Sequence, residues 1–368
     1  MTHSEILAKP SENKNTCTLG FGCMRFPSGN KELIKMTDAY MEAGFNYFDT
    51  AYAYGDSEER LGKTLVSRYP RDSFMIADKM PPWEVKNRKS CEKIFSATLK
   101  NLGTDYIDFM LLHSLNVSNE ETSINADIYG WAADEKKKGN VRHVGFSFHD
   151  SAELLEKLFI DHPEMEFVQL QLNYMDVLRG EGKKLHELAL KYDKPIIVME
   201  PMRGGSLANL PSAAEAVFKK HAPNVSVASW ANRYAASLQG ATCLLSGMSS
   251  LEHMQDNIKT FSPLKPITEE ELNVIETAIA EIGKVSSIPC TGCNYCLDAC
   301  PESIEISQCM AYYNEAKRGG AKWNLEMLYN SIPKGKKSED CTSCGACVPR
   351  CPQHINIPKE LQKVTKYF

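Results

Sequence analysis

The sequence has no run of about 18 apolar residues, the length a helix needs to span a bilayer. It has no basic stripe, and its formal net charge is −5; a chain held to nucleic acid by phosphate contacts would carry the opposite balance. Neither a nucleic-acid partner nor a membrane is therefore expected. The segment Met1 to Asn15 is polar and lacks the hydrophobic stretch of a secretory signal, so a cytoplasmic location is expected. The glycine-rich dinucleotide fingerprint is missing as well: Gly20-Phe21-Gly22-Cys23-Met24-Arg25 follows the first apolar run and does not fit it. That argues against a doubly wound open sheet. No short solenoid or propeller repeat occurs, and no flavin signature is recognisable.

What is present is ordinary in bulk and unusual in arrangement. The chain has 368 residues, 43% hydrophobic and 24% charged, enough for one large core and a small second one. Up to about residue 260, short apolar runs alternate with amphipathic ones. The runs Leu19–Cys23, Tyr47–Thr50, Phe74–Ala77, Ile107–Leu112, Val144–Ser147, Val168–Leu172, Ile196–Met199 and Thr242–Leu245 read as strands. Between them, Lys31–Ala43, Arg88–Leu102, Ala152–Phe159, Gly182–Lys191 and Val225–Ala236 read as helices. Such alternation implies parallel strands with right-handed crossovers, and eight units fit a closed (β/α)₈ TIM barrel. Phe261–Ile267 reads as a linker and Glu269–Ile282 as a helix. The boundary is expected near Ser286, with residues 1–285 forming the barrel and 286–368 a small, mostly helical domain.

Thirteen cysteines, an odd count, suit metal ligands and plain thiols in a reducing compartment better than a disulfide framework. Eight lie in two runs: Cys290, Cys293, Cys296 and Cys300 before Pro301, and Cys341, Cys344, Cys347 and Cys351 before Pro352. Both have the bacterial ferredoxin spacing. Three cysteines three residues apart wrap one loop around a cubane, and the fourth reaches the other cluster. Two [4Fe–4S] clusters are thus expected, one on Cys290, Cys293, Cys296 and Cys351, the other on Cys341, Cys344, Cys347 and Cys300. Structural zinc prefers pairs from separated segments. Met310–Lys317 and Asn324–Asn330 read as helical, so the tail resembles a helical dicluster ferredoxin. Cys309 lies outside both runs and reads as a core thiol.

The barrel carries its own reactive residues. Asp49 and Tyr54 follow the second strand, Lys79 the third and His113 the fourth. In a barrel these loops open on the C-terminal face, where the four side chains can converge. Here the sequence resembles the aldo/keto reductase family, in the branch with a ferredoxin-type tail. The resemblance rests on Asp49, Tyr54, Lys79 and His113, on the opening Leu19-Gly20-Phe21-Gly22-Cys23-Met24-Arg25-Phe26-Pro27, and on Met199-Glu200-Pro201-Met202-Arg203-Gly204-Gly205. It implies Tyr54 as proton donor or acceptor, Lys79 as the cation that lowers its pKa, Asp49 as the holder of Lys79, and His113 as a hydrogen-bond partner of the substrate oxygen.

The resemblance also implies a nicotinamide cofactor. Ser147 and Gln169 would bind its carboxamide, Arg203 and Gly204 would approach the pyrophosphate, and Gly247, Asp256 and Asn257 would lie along the adenosine. Phe148 stands where the family has Asn, and Met199 where it stacks an aromatic ring. Gly247 and His253 replace the cations that hold a 2′-phosphate, so NADP and NAD both remain open. The substrate class is a small carbonyl or alcohol. Nicotinamide passes two electrons as hydride and cubanes pass one at a time, which leaves three functions open. The clusters relay electrons to or from a redox partner protein; or an ordinary carbonyl reductase carries structural or sensing clusters; or an inactive barrel serves an electron-transfer module.

Overall fold

The computed structural model describes residues 17–368 apart from 118, 286, 291, 293, 295, 318–321, 352 and 354. The boundary expected near Ser286 and the expected ligand Cys293 lie outside the described residues. Among the described residues, no helix is long and apolar enough to cross a membrane.

Eight strands form a closed parallel barrel in sequence order: β1 (Thr18–Gly22), β2 (Tyr47–Asp49), β3 (Met75–Met80), β4 (Ile107–Leu115), β5 (Val141–Phe148), β6 (Phe167–Gln171), β7 (Ile196–Met199) and β8 (Ala241–Ser246). All eight expected strands are present. β3, β4, β5 and β8 run further than expected. Asp78 and Lys79 lie inside β3, and His113 and Ser114 inside β4. Lys79 pairs with Asp49 on the neighbouring strand, so the ladder continues through a buried charge.

The barrel interior is filled by Tyr47, Ala77, Phe109, Leu111, Phe167, Ile197, Cys243 and Leu245. Strand side chains alternate with a period of two. Two residues further along, the same inward face therefore presents Asp49, Lys79, His113, Gln169 and Met199. Gly145 on β5 makes room for this filling: a Cβ there would stand 2.5 Å from the Phe167 carbonyl oxygen and 2.8 Å from its ring. Ser147, two residues on, joins the same rim. It pairs with Gln169 in the β5–β6 register.

Helices cover the outside. Helix Arg88–Leu102 shows how the sequence sets them. Asn87 caps it by accepting from Ser90 N, and Gly103 ends it in a left-handed conformation at φ 71°. Cys91, Ile94, Phe95, Thr98 and Leu102 recur at helical spacing and are buried. Each large apolar side chain so buried contributes about 1.5–3 kcal/mol.

The fold divides into two units. One runs to Met202 and resumes over Ala228–Thr268; the other comprises Arg203–Val227 and Glu269–Phe368. Helix Glu269–Lys284, which the sequence reading gives to the barrel, falls in the second unit with helix Ser212–His221. The first buries Ile275, Ala278 and Ile279, the second Ala214 and Phe218.

The second unit also contains helices Ile306–Lys317, Lys322–Ser331 and Ile357–Tyr367. Its sequence repeats itself after each cysteine run: Cys300-Pro301-Glu302-Ser303-Ile304-Glu305-Ile306 and Cys351-Pro352-Gln353-His354-Ile355-Asn356-Ile357. The four isoleucines are buried in one core with Cys296, Cys309 and Cys347. In each copy the last isoleucine opens a helix.

Candidate active site and thiol cavities

At the rim, Lys79 Nζ donates to Asp49 Oδ1 at 2.5 Å and to the Thr50 carbonyl at 2.8 Å. Asp49 Oδ2 accepts from Gln169 Nε2 at 3.1 Å. The ammonium lies 4.8 Å from the centre of the Tyr54 ring, and that ring meets His113 edge-on at 5.5 Å. All four residues expected to act together are thus in one place. Three strand ends supply them, and Lys79 and Asp49 are almost wholly buried.

Burial sets the electrostatics. It would strip the proton from Lys79, but Asp49 and Tyr54 beside it outweigh burial and hold the ammonium above the ordinary lysine range. The Tyr54 phenol departs from the sequence expectation. Burial pushes its pKa up, Lys79 pulls it down, and Asp49 and Asp78 add to the rise; the net shift is upward, not downward. Sequence reasoning saw the cation and missed the desolvation. His113 is driven well below the usual histidine range by burial and by the Lys79 charge, so the imidazole is neutral. His149 is pushed down to about 4 by burial.

Two buried polar atoms face this site without a hydrogen-bond partner among the described residues: His113 Nδ1 and Gln169 Oε1. The Ser147 hydroxyl accepts from Ser114 N at 2.7 Å, which leaves its own proton to donate elsewhere. Ser114 itself sits at φ 55°, and its carbonyl accepts from the side-chain amides of Asn116 and Asn119. The loop behind His113 is therefore fixed at both ends.

The remaining expected cofactor residues lie elsewhere. Gly247 is exposed just after β8, and nothing stands within 4 Å of where a Cβ would be. Asp256 and Asn257 lie on helix Leu251–Phe261. Asn257 is buried, donating to Ser246 Oγ and accepting from Asn232, each at 2.8 Å. Arg203 and Gly204 form a short turn with Gly205, both with positive φ, in the second unit. Sequence reasoning missed the bond from Gln169 to Asp49. It also missed Trp83, which is 52% exposed and lies 5.1 Å from the His113 ring. The available signal for Trp83 was its place four residues after Lys79, on a loop leaving a reactive strand.

The second unit holds two thiol-lined cavities. One is lined by Cys300, Cys341, Cys344 and Cys347. The other is lined by Cys290, Cys296 and Cys351. The fourth cysteine of each run thus faces the other run's cavity, as the spacing predicts. Ile306 lines both. Among the described residues, no three His, Cys, Asp or Glu side chains converge closely enough for a single metal ion; the thiols surround a space rather than a point. Cys309 lines neither cavity and is fully buried.

Known proteins are similar to this chain. An aldo-keto reductase of Strobilurus tenacellus is 32% identical over 206 residues, which is 51% of this chain and 59% of that protein. A methylglyoxal reductase of Escherichia coli is 28% identical over 264 residues, 69% of this chain and 85% of that protein. Among solved structures, an aldo-keto reductase of Bacillus halodurans in its holo form superposes with a TM-score of 0.60 at 21% identity, covering 72% of this chain and 92% of that one. One from Klebsiella pneumoniae in complex with NADPH gives 0.59 at 19% identity, covering 71% and 90%. A 4Fe-4S dicluster domain pattern matches residues 289–355. The aldo/keto reductase pattern matches residues 18–280, and with it the barrel, its rim and its relatives place this chain in the aldo/keto reductase family, with a 4Fe-4S dicluster domain at its C-terminal end.

Proposed function

We propose that this oxidoreductase interconverts carbonyls and alcohols with a nicotinamide cofactor, and that two [4Fe–4S] clusters in its second unit relay electrons to or from a redox partner. The observation that carries the first half is the joining of Asp49, Lys79, Tyr54 and His113 on one rim.

When bound, nicotinamide supplies or accepts the hydride. The chain's own groups do the rest. Tyr54, protonated across the neutral range, gives its phenolic proton to the oxygen that becomes the alcohol. Lys79, kept charged by Asp49, stabilises the phenolate left behind. Neutral His113 donates a hydrogen bond to the same oxygen and adds no charge that would compete with Lys79. In oxidation the same proton travels back, and Tyr54 acts as base.

Ser147 and Gln169 suit a carboxamide. A hydroxyl with its proton to give and a buried carbonyl oxygen without a partner stand side by side, matching the acceptor and donor of that group. Gly247, Asp256 and Asn257 would lie along the adenosine. The relative that binds NADPH favours NADP, while Gly247 supplies no cation for a 2′-phosphate, so both nicotinamides belong in the test.

The donor sets of the two cavities fit cubanes. Each cavity is ringed by soft thiolate ligands, and the Cys341 run receives Cys300 as its fourth. When assembled, the clusters carry single electrons. The barrel chemistry moves pairs, so the relay reading requires that a partner or an added one-electron carrier split them.

Two measurements test this. Aldehyde reduction by NADPH and NADH should fall steeply in Tyr54→Phe; unchanged turnover refutes the carbonyl reading. Anaerobic addition of excess reduced nicotinamide with a one-electron carrier, followed by EPR, should reduce the clusters. Clusters that stay oxidised, with normal carbonyl turnover, refute the relay and leave them a structural or sensing role.

A further inference from the structure

Behind the ion pair lies a second buried carboxyl that this chemistry does not use. Asp78 precedes Lys79 on β3 and, by strand alternation, faces the helical layer rather than the barrel interior. It has no solvent exposure. Its Oδ1 accepts from Tyr52 N at 3.2 Å and from Lys79 N at 2.6 Å. Its Oδ2 has no hydrogen-bond partner among the described residues. Tyr52 lies two residues before Tyr54, so Asp78 braces the loop that presents the proton donor. The other end of that loop is tied by Thr50 Oγ1 to Ser57 Oγ at 2.7 Å and by Ser57 Oγ to the Cys23 carbonyl at 2.8 Å.

The charges around Asp78 do not balance if it is ionised. Lys79 on its own strand, Asp49 from β2 and Glu58 from helix Ser57–Leu61 act on it. Tyr54 in the loop and Cys23 in the turn after β1 feel its charge. From helix Arg88–Leu102, the uncharged Thr98 and Asn101 donate to Glu58. One ammonium would then face three buried carboxylates, and one oxygen of Asp78 would be bare; such a buried, unpaired charge costs several kcal/mol. A carboxylic acid keeps Oδ1 as the acceptor for Tyr52 and makes Oδ2 a hydroxyl.

We propose that Asp78 is a positioning residue carried as a neutral carboxylic acid, which ties the Tyr54 loop to β3 through Tyr52 N and leaves Lys79 to Asp49 and Tyr54. Burial and the Glu58 charge both push its carboxyl well above the usual range, in accord with this state. The proposal rests on reading Tyr54 as the proton donor. Ionisation of Asp78 at high pH would place a further negative charge beside Tyr54 and Lys79 and slow the reaction.

The experiment compares Asp78→Asn, which mimics the neutral acid, with Asp78→Ala, which removes the brace. For reduction of a small aldehyde, Asp78→Asn should keep kcat within about twofold at neutral pH and stay active to higher pH than wild type. Asp78→Ala should lose kcat about tenfold or more with little change in KM for the aldehyde. Asp78→Asn falling as far as Asp78→Ala, or both variants keeping the wild-type rate and alkaline limb, overturns the proposal. A second readout does not depend on turnover or on the folding of the alanine variant. In holoprotein labelled at the aspartate carboxyl carbon, ¹³C NMR should show one protonated carboxyl at neutral pH that Asp78→Asn removes; its absence also overturns the proposal. Should Tyr54→Phe prove fully active, the carbonyl reading falls, and the resonance still decides the state of Asp78.

Discussion

The barrel rim and the thiol cavities are built in opposite ways. At the rim, single residues from distant strands converge; Gln169 bonds to Asp49 across 120 positions of sequence. The bonds among Asp49, Lys79 and Gln169 close without a bound group, while His113 Nδ1 and Gln169 Oε1 are left for one. In the second unit, two short runs with one spacing enclose spaces, and Cys296 and Cys347 are part of the hydrophobic core itself. If these thiols hold clusters as proposed, that core is completed by what they bind. The difference would then be between a site that organises its ligand and one that its ligand organises.

The sharpest way to break this comparison is at Tyr54. Tyr54→Phe should lower kcat/KM for aldehyde reduction by about 10²–10⁴-fold, while iron content and thermal unfolding stay as in wild type. A parallel loss of iron would show that the two sites are not independent.

Next in size is the crossing of the fourth ligands. Cys351→Ser should empty the cavity of the Cys290 run and leave the Cys341 run loaded, halving the iron content; Cys300→Ser should do the reverse. EPR of the two variants should show complementary halves of the wild-type signal. Loss of the cluster on the mutated cysteine's own run would overturn the crossing. Carbonyl reduction should persist in both variants.

Stability offers a third contrast. His149 has a folded pKa of about 4, below the unfolded value near 6.5. The unfolded chain therefore binds a proton that the folded barrel refuses. Stability is constant above about pH 6.5 and falls as pH drops toward 4, by about 2 kcal/mol between pH 7 and 5. His113 acts in the same direction. Denaturant titrations at the two pH values should show the barrel transition moving and His149→Gln moving it less, while chelation of iron should move the tail transition.

The smallest effect concerns Gly247. An exposed position with open space around its Cβ accepts a side chain at little cost. Gly247→Lys should shift the ratio of kcat/KM values toward NADPH over NADH by about 5- to 10-fold, the order of one added ion pair to phosphate. An unchanged ratio would place the adenosine elsewhere.

The two regions were also unequally legible. The tail's chemistry was visible in spacing alone, because one loop surrounding a cubane needs cysteines three residues apart. The same pattern led to the proposed exchange of Cys300 and Cys351, and the lining of the cavities agrees with it. In the barrel, alternation revealed all eight strands but not their ends, since Lys79 and His113 continue strands that their polarity would close. Asp49, Tyr54, Lys79 and His113 were individually ordinary; their place at three successive strand ends grouped them, and resemblance gave them roles. The bond from Gln169 to Asp49, the brace at Asp78 and the upward shift of Tyr54 were not legible. Each depends on how deeply a group is buried, which a sequence states only once folded.

The second unit carries the Cys-Pro-x-x-Ile-x-Ile segment twice. Under the proposed assignment each segment lends its thiol to the opposite copy, so neither copy would hold a full set of ligands, and a chain cut between them would keep three thiols of one set and a stray fourth. Cluster loading would then require both copies at once.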